Sequence, residues 1–509
     1  MALTRRFFIG GAASLGALGG CRLITGGNFA SGVPRLKFGV VSDIHLSRRA
    51  AAGENQMGAG NELTFVNTLK WFRDQGVDGV IVAGDMADFG VVDELVMVAE
   101  AWNKVFPNDR APDGRKVERL FVYGNHDMSG TNYVRYKYKD KSEDELNKIV
   151  IYSDPKGAWE KAFNEEFAPI WSKEIKGYNF VGAHWWSQKA CRGKDEKFND
   201  GIGEWYAANA KKFDPSLPFF HIQHPHPLNT CYGPWAWGSD VGLSTKTLSA
   251  FPNAVAFSGH SHYPLLDERS VWQGEFTSVG TASLRYVAYG YDEFGPYGFA
   301  NSRAVGAQAR EIDAAKVQAV LGGAADCRQG MLWSIYDDCM VVQRREFISG
   351  IDLGEDWTIP LPSAESKPFA FAERAKKIGA PEFAEGAKLK VVRAKSKTRG
   401  ARAAGKKPEI ATVEKDCLKV IVPAAIAKDG ARAYQYVVTV IGPDGKSALS
   451  RRFLVEGLAQ GSKHSRVKYD TNCFFAIDEL PKGAVRFKVE ALNCFGRIGG
   501  SLLSGETIV

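Results

Sequence analysis

Short apolar runs alternate with amphipathic helical patterns from Leu36 onward, and this alternation constrains the fold more than any other feature of the sequence. The runs are typical of buried strands, and the segments between them place apolar residues at helical spacing. The strand-like runs are Leu36–Ser42, Val77–Ala83, Leu120–Tyr123, Tyr178–His184, Pro218–His224 and Ala254–Gly259. Strands that alternate with helices predict an α/β domain with a largely parallel sheet, in which ligands bind beyond the carboxyl ends of the strands.

Polar side chains with metal-binding chemistry follow the ends of these predicted strands. They are Asp43, His45, Asp85, Asn125, His224, His260 and His262. Asp43 and His45 are two residues apart and would face the same side of an extended segment, and the last two histidines repeat this spacing. Carboxylate, imidazole and amide ligands suit Mn²⁺, Fe, Zn²⁺ or Ni²⁺, and the absence of thiolate disfavours a structural zinc site. The seven ligands exceed the needs of one ion, and they form two sets of four if Asp85 bridges a pair of ions.

These residues belong to five motifs that resemble those of the calcineurin-like metallophosphoesterase family. The motifs are Asp43-x-His45, Gly84-Asp85-x-x-Asp88, Gly124-Asn125-His126-Asp127, His224 before a proline, and Gly259-His260-x-His262. All five occur in the order of that family, and the resemblance spans residues 36–347. It implies a four-layer α/β sandwich that hydrolyses a phosphate ester with a hydroxide bridging two metal ions.

The resemblance also implies a role for each motif residue. Asp43, His45, Asp85 and His262 would hold the first ion, and Asp85, Asn125, His224 and His260 would hold the second. His126 would protonate the leaving group, and Asp127 would orient His126. Purple acid phosphatases carry a tyrosine three residues after the bridging aspartate, where this chain has Asp88, so that subclass is disfavoured. We interpret Asp88 as support for an imidazole ligand.

The segment from His221 to Pro227 offers three histidines for the one ligand that its strand must supply. The predicted strand ends at His224, directly before a proline, so we take His224 as the ligand. His226 is the alternative, and it would otherwise face the substrate. His221 is interpreted as a strand histidine that packs beside the sheet.

Aromatic and basic residues near these motifs are candidates for substrate binding. They are His184, His226, Trp235 and Arg285. A tryptophan wall suits stacking on a base or a sugar ring, and a guanidinium could pair with a substrate phosphate. The structural alternatives are aromatic residues that pack onto the core and an arginine that is only solvated.

The composition changes near Lys388 to short β-rich runs that are separated by turn signals. Leu418–Val422 and Tyr434–Ile441 are strand-like, and Val485–Ala491 alternates apolar and polar residues as a half-exposed strand does. The segment Val485–Gly500 resembles the last hairpin of a fibronectin type III-like sandwich. The predicted organisation is therefore a metallophosphoesterase domain at 35–350, a linker at 351–386 and a small all-β sandwich at 387–509.

Residues 1–34 resemble an export signal followed by a linker. Arg5 and Arg6 precede aromatic residues and a short run rich in Gly and Ala, as in a twin-arginine signal of bacteria. That run is too short to cross a bilayer core of about 30 Å. It ends in a sequence that resembles a lipoprotein cleavage box with Cys21 as the lipidated residue, and cleavage after Ala30 is the alternative. We therefore expect export by the twin-arginine machinery to the periplasm, either as a soluble enzyme or with a lipid anchor in the membrane.

The charge balance helps to choose between function classes. A formal charge of +7 is small for 509 residues, which argues against a metal-dependent nuclease and against specific nucleic-acid binding. We expect a small phosphate ester as substrate, either a monoester or a phosphodiester such as a cyclic nucleotide. The alternative from another class is a surface-binding lipoprotein whose metal domain is only structural, although a closed structural site would not need His126.

Overall fold

The fold is described from a computed structural model. It covers residues 32–47, 61–90, 92–128, 140–142, 145, 155–186, 201–234, 236, 238–289, 318–320, 322–324, 327–396, 414–428, 433–455 and 470–509. The predicted export signal, Cys21 and Trp235 lie outside these residues. Within them, no helix is both long enough and apolar enough to cross a membrane.

The predicted alternation of strands and helices is present in the first part of the chain. The strands are β1 (Leu36–Val41), β2 (Gly79–Ala83), β3 (Glu118–Val122), β4 (Ile170–Ile175), β5 (Tyr178–Ala183), β6 (Phe219–Ile222), β7 (Ala254–Ser258), β8 (Val271–Gln273), β9 (Thr277–Gly280), β10 (Val287–Tyr289), β11 (Gln318–Val320), β12 (Gly322–Ala324), β13 (Gln329–Ile335), β14 (Cys339–Glu346), β15 (Ile351–Asp352) and β16 (Trp357–Pro360). The helices are α1 (Asn61–Asp74), α2 (Val92–Asn103), α3 (Pro155–Phe163), α4 (Ile202–Asn209) and α5 (Leu243–Leu248).

Two mixed sheets form the centre of this domain. The first has the strand order β15-β14-β13-β1-β2-β3, with β16 also paired to β14, and the second has the order β4-β5-β6-β7-β9-β8. Strands β1 to β3 are parallel in the first sheet, and β5, β6, β7 and β9 are parallel in the second. The antiparallel strands lie on one side of the parallel strands in the first sheet and at both edges of the second. Each sheet therefore contains a run of parallel strands whose carboxyl ends can carry a site.

The two sheets pack face to face, and helices cover their outer faces. Between the sheets, the Phe38 ring of β1 packs edge-on against Phe180 of β5, with ring centroids 5.4 Å apart. Helix α1 buries Phe65, Leu69 and Phe72, which recur at helical spacing, against the outer face of the first sheet. Helices α4 and α5 cover the second sheet in the same way. The helix–sheet–sheet–helix order confirms the predicted four-layer α/β sandwich.

The segment 351–386, which the sequence predicted as a linker, contributes strands to the first sheet. β15 and β16 both pair with β14. Alternate residues of β16, Trp357 and Ile359, are buried. Pro360 is tolerated in β16 because one side of an edge strand forms no ladder hydrogen bonds, so the missing N–H group of a proline is not needed there. After β16, helix α6 (Phe371–Lys377) leads to the last part of the chain.

The last part of the chain is an all-β domain, as predicted. Its strands are β17 (Glu382–Phe383), β18 (Lys390–Ser396), β19 (Lys415–Val422), β20 (Ala425–Ile426), β21 (Gln435–Ile441), β22 (Ser447–Leu454), β23 (Thr471–Ala476), β24 (Ala484–Leu492), β25 (Ile498–Leu503) and β26 (Thr507–Ile508). One sheet has the order β11-β22-β21-β24-β25 with β26 beside β24, and a second has the order β18-β19-β23. The strand β11 comes from the first part of the chain, so the two domains share a sheet.

Candidate metal centre

Five of the seven predicted ligand residues have left-handed backbone conformations. The φ angle is 51° at Asp43, His45 and Asp85, 71° at His260 and 56° at His262. A residue with a Cβ atom adopts this conformation only where its surroundings enforce it, and such residues cluster at functional sites. Extended segments were predicted for the paired ligands, whereas the chain turns at each of these five positions.

Backbone hydrogen bonds between the loops that follow β1 and β2 stabilise the turns at Asp43, His45 and Asp85. After β1 and β2 end, the N–H group of Asp43 donates to the carbonyl of Gly84 at 2.9 Å. The N–H group of His45 then donates to the carbonyl of Asp85 at 3.0 Å. The two loops are therefore fixed to each other, and the carboxylates that they carry are brought to one place.

Two glycines allow the loops to approach the carboxylates closely. A Cβ atom on Gly124 would collide with the side chain of Asp85, and one on Gly259 would collide with the side chain of Asp43. Glycine is thus needed at both motif positions, because there is no room for a side chain beside the carboxylates.

The first group of ligands consists of Asp43, His45 and His262, whose donor atoms all lie within 4.8 Å of one another. Asp43 Oδ1 is 3.0 Å from His262 Nε2 and 3.8 Å from His45 Nε2. Asp43 Oδ1 and His45 Nε2 are buried and have no hydrogen-bond partner among the described residues. A cation between these two atoms would satisfy both, so the donor set fits a metal ion.

The second group consists of Asp85, His224 and His260. His224 Nε2 is 3.1 Å from Asp85 Oδ2 and 3.1 Å from Asn125 Oδ1. Asp85 Oδ2 also lies 3.6 Å from His45 Nε2, which belongs to the first group. Asp85 therefore stands between the groups, where a carboxylate that bridges two ions must stand.

Three of the ligand imidazoles have an oxygen acceptor beside Nδ1, and this acceptor determines where the lone pair of Nε2 points. The Nδ1 atoms of His224 and His262 lie 2.7 Å and 3.1 Å from the carbonyls of Ala83 and Tyr286. His45 Nδ1 lies 3.2 Å from the Asp88 carboxylate. Because a carbonyl or carboxylate oxygen only accepts, each Nδ1 carries the proton and each Nε2 directs its lone pair into the centre.

The buried carboxylates make the centre attractive to positive charge. Burial favours the neutral acid, yet the neighbouring histidines hold the pKa of Asp85 below its usual range. Burial also disfavours a charged imidazole, yet the nearby carboxylates raise the pKa of His45 and His224 to about 9. The electrostatic field of the site thus favours cations, as a metal centre requires.

His126 is more exposed than the ligand histidines beside it. Its side chain is 24% exposed, whereas that of His45 is 2% exposed. The backbone N–H group of His126 donates to Asp85 Oδ1 at 2.8 Å, and its Nδ1 lies 2.8 Å from the Asp88 carbonyl. The ring is held beside the first group, 4.5 Å from the His45 ring, and reaches the solvent.

Asp127 does not orient His126 in the way that the resemblance implied. Its carboxylate accepts hydrogen bonds from the backbone N–H groups of Ala87 and Gly124, both at 2.8 Å, and of Met86 at 3.2 Å. It therefore fixes the loops after β2 and β3 against each other. Burial and the charge of Asp85 raise the pKa of Asp127 to about 7, and the three N–H groups oppose this rise.

Asp88 supports imidazoles and binds a guanidinium. Its carboxylate lies 3.2 Å from His45 Nδ1 and 3.9 Å from His126 Nδ1, and it forms an ion pair with Arg285. Asp88, His45 and His126 are close enough together to hold an ion of their own. The guanidinium of Arg285 already provides the positive charge there, so we do not assign a metal to this group.

The structure separates the three histidines near the end of β6. His224 faces the second ligand group, whereas His226 lies outside it with its ring nitrogens 2.7 Å from the hydroxyls of Ser258 and Ser261. His221 packs beside the sheet, with Nδ1 3.0 Å from the Tyr206 hydroxyl. His226 is fully buried and therefore does not face a substrate.

His184, a predicted substrate-binding residue, lies in the core rather than in the cleft. Its Nδ1 accepts a hydrogen bond from the N–H group of Tyr123 at 2.9 Å, and its ring packs against Trp159 and Phe167. Trp185 is the residue that reaches the site, with its ring 5.5 Å from that of His260. Adjacent residues at a strand end point to opposite sides, so only one of them could face the cleft.

Residues 36–264 match the family model for calcineurin-like phosphoesterases. These residues form a calcineurin-like phosphoesterase domain. The chain thus carries a domain of a family that depends on two metal ions, and it is a hydrolase acting on phosphoric ester bonds. No curated protein matches the chain significantly.

Solved structures resemble this phosphoesterase at low sequence identity. A dimetal phosphatase from Danio rerio is 12% identical with a TM-score of 0.36, and the match covers 64% of this chain and 99% of that one. A purple acid phosphatase from yellow lupin (Lupinus luteus) seeds is 12% identical with a TM-score of 0.34, and the match covers 65% of this chain and 55% of that one. TM-scores this low do not carry a functional argument, so the assignment rests on the family match and the site.

No motif in the sequence points to the carbonyl groups that orient the ligands. The acceptors of the phosphoesterase site at Ala83 and Tyr286 are backbone atoms, and any residue type supplies them. Ser258 and Ser261, which hold His226, were also not singled out. A serine between two ligand histidines was visible in the motif, but its partner could be found only in the folded chain.

Proposed function

We propose that this phosphoesterase is an exported enzyme that hydrolyses a small phosphate ester, with His126 as the acid for the leaving alcohol. The observation that supports this most directly is the contrast between the buried ring of His45 and the partly exposed ring of His126. A closed structural metal site has no use for an acid at its rim. The arrangement therefore favours catalysis over the alternative of a surface-binding protein with a structural metal domain.

The ligand sets proposed from the sequence suit two ions. The first set is Asp43, His45, Asp85 and His262, and the second is Asp85, Asn125, His224 and His260. Two divalent ions bound there would supply positive charge for the phosphoryl oxygens and would lower the pKa of a bound water, so that hydroxide is available for in-line attack. Nitrogen and oxygen donors are compatible with Mn, Fe, Zn or Ni, and the donor set does not choose among them.

His126 is suited to proton transfer by the partners of its ring. The Asp88 carbonyl holds the proton on Nδ1, so Nε2 is the ring atom that gains and loses a proton during turnover. The hydrogen bond from the backbone N–H group of His126 to the Asp85 carboxylate keeps the ring beside the ligand groups. General acids placed in this way typically contribute about 10²–10⁴-fold to a rate.

Arg285 is proposed to attract the phosphate group of the substrate. Its guanidinium lies against Asp88 at the side of the centre where His126 stands, and its side chain is 11% exposed. A guanidinium offers five donors, so the ion pair does not use its full capacity. This placement suits monoester and diester substrates alike, and phosphodiesters such as cyclic nucleotides remain the alternative substrate class.

Two further proposals concern the ends of the chain. We propose that Arg5 and Arg6 direct twin-arginine export and that Cys21 carries a lipid. Replacing both arginines by lysine should retain the enzyme in the cytoplasm, and Cys21→Ser should release it from membranes.

We also propose that the C-terminal sandwich is of the fibronectin type III kind. The antiparallel pairing of β24 with β25 supports the hairpin on which that resemblance rests.

A single variant tests the catalytic proposal. His126→Asn should lower kcat about 10²–10⁴-fold for phosphomonoesters or phosphodiesters while leaving the metal content of the protein unchanged. The assay would use metal-stripped protein reloaded with Mn²⁺, Zn²⁺ or Fe²⁺ and a panel of both substrate classes. Full activity of the variant would disprove the role of His126, and no hydrolysis by the wild type on any ester would favour the structural alternative.

A further inference from the structure

Residues 263–287, which we name the supporting segment, run from the last predicted ligand to β10 and contact the metal centre at several points. The carbonyl of Tyr286 lies 3.1 Å from Nδ1 of His262. The preceding residue, Arg285, forms the ion pair with Asp88. At the start of the segment, the carbonyl of Tyr263 accepts a hydrogen bond from the Tyr232 hydroxyl at 3.3 Å.

The same segment is anchored in the C-terminal domain at two positions. Val287 is fully buried, and it belongs to the hydrophobic cluster that forms the core of that domain. Arg269 is also fully buried, and its guanidinium lies 4.8 Å from the centre of the Tyr434 ring, which precedes β21. Asp267 neutralises this guanidinium through hydrogen bonds of 2.9 and 2.6 Å.

Arg269 also connects this anchor to the loop that follows His226. Its carbonyl accepts a hydrogen bond from the N–H group of Tyr232 at 2.7 Å. The Tyr232 ring lies 5.2 Å from the ring of His226 and 5.0 Å from that of Tyr263. A shift of Arg269 would therefore displace residues on both sides of the His260-x-His262 motif.

The connection between the domains is built of paired structure rather than a free tether. The backbone of Gln273 in β8 donates to the Phe369 carbonyl at 3.3 Å, and the Phe369 N–H group donates to the Gln273 side chain at 3.0 Å. Arg374 of α6 forms an ion pair with Glu268 of the supporting segment. The part of the chain that leads into the C-terminal domain is thus fixed to the segment that reaches the metal centre.

We infer that the C-terminal domain is a structural part of the metal centre, which it positions through Tyr434 and Arg269 and through Val287. This inference rests on the proposed ligation of one ion by His262. The carbonyl that binds Nδ1 of a ligand histidine sets the orientation of the ring, and loss of such a partner typically weakens metal binding about 10–100-fold. Tyr434, Arg269 and Val287 touch neither ion nor substrate, so they are positioning residues.

The test measures metal binding by the full-length protein without any substrate. Metal-free wild type, Tyr434→Ala and Tyr434→Phe would be titrated with Mn²⁺ by calorimetry, with folding checked by circular dichroism. Tyr434→Ala removes the ring that covers Arg269, and we expect binding of one of the two ions to weaken about tenfold. This is the lower end of the range of about 10–100-fold, because Tyr434 acts on the ligand only through other residues. Tyr434→Phe keeps the ring face and should bind both ions as the wild type does.

Tyr436→Ala is the matched control. Tyr436 is a buried tyrosine of the same domain, and its hydroxyl contacts Ala425 and Pro423 rather than the supporting segment. This variant should lose stability but bind both ions normally at temperatures where it is folded. If Tyr434→Ala does not fold, Val287→Ala, which shortens the other anchor, takes its place with the same expected result.

Two results would overturn the inference. Either Tyr434→Ala binds both ions with wild-type affinity, or Tyr436→Ala weakens binding as much as Tyr434→Ala does. If the wild type binds no ion, the inference fails together with the proposed ligand sets. If the wild type binds two ions but hydrolyses no ester, the proposed function fails while the inference is still decided by the variants.

Discussion

Arg285 and Asp88 form an ion pair across 197 residues of chain, directly beside the imidazoles of His45 and His126. The side chain of Asp88 is 7% exposed and that of Arg285 is 11% exposed, so both charges are largely removed from water. Such pairs are sensitive to the loss of one partner, because the remaining charge is then buried without compensation. The pair thus ties the chemistry of the centre to a residue on the supporting segment.

Replacing Asp88 by asparagine should weaken binding of the ion held by His45. The amide cannot carry the charge that fixes the proton on His45 Nδ1, and it leaves Arg285 unpaired. We expect about 10–100-fold lower affinity for Mn²⁺ at one site, measured by calorimetric titration. Asp78→Asn is the control, since Asp78 is a buried carboxylate that pairs with Arg115 and Lys176 far from the ligands. Equal affinity of Asp88→Asn and wild type would contradict the role given to Asp88.

Glutamine in place of His224 should lower the metal content of the protein, whereas glutamine in place of His226 should leave it unchanged. His224→Gln removes a donor that faces Asp85 and Asn125, so the purified protein should lose one ion. His226→Gln leaves the ligands in place and disturbs hydrogen bonds to two serines, which should cost about 1–3 kcal/mol of stability. Metal analysis and thermal melting separate the two effects. Loss of an ion from the His226 variant alone would reverse the ligand assignment.

A methyl group at Gly259 should disturb the centre while the fold is kept. The Cβ atom of alanine would collide with the side chains of Asp43 and Ser42, and overpacking of this kind costs about 1–3 kcal/mol. We expect weaker metal binding and lower kcat from Gly259→Ala. Gly203→Ala in α4 is the control, because the nearest atom to its Cβ would be 3.6 Å away. If both variants behave like the wild type, the close approach at Gly259 is not needed.

Acid should destabilise the phosphoesterase domain through three buried histidines outside the ligand sets. Burial lowers the pKa of His221 to about 4 and those of His184 and His226 to about 3, from an ordinary value of 6.5. In the unfolded chain all three rings bind protons near pH 6.5, whereas the folded protein keeps them neutral. Stability is therefore fully present above pH 6.5 and is lost as the pH falls towards 4, by up to about 3 kcal/mol for His221.

Thermal melting of metal-free protein between pH 7 and pH 4.5 would measure this loss. His221→Gln removes one of the three groups, so its melting temperature should fall less over that range than that of the wild type. His464 lies outside the described residues, and His464→Gln serves as a control for the loss of any histidine. The same pH dependence in wild type and His221→Gln would show that His221 is not the group responsible.

Much of the fold could be predicted because the physical signal is local. The apolar runs predicted β1, β2 and β3 to within a few residues, since a strand buried on both faces needs a continuous apolar sequence. The strand ends then placed the candidate ligands at one edge. The segment at 351–386 was harder, because strands β15 and β16 are short and only their pairing with β14 reveals them.

The site was less predictable where it depends on the backbone or on long-range packing. The role of Asp127 could not be deduced, because its partners are N–H groups of residues that look unremarkable in sequence. His184 was misplaced because a strand end does not reveal which of two adjacent residues faces the cleft. The ion pair of Asp88 with Arg285 required folding to bring distant residues together.

The left-handed conformations at five predicted ligands have a consequence for how ions enter and leave. The cost of these conformations, roughly 1–3 kcal/mol each, is met when the paired loops fold and not when an ion arrives. An ion therefore meets ligands that have already lost their freedom to reorganise. Exchange of one divalent ion for another should then require little rearrangement of the chain. The ions available around the folded protein, more than those present while it folded, should therefore decide which metal the enzyme carries.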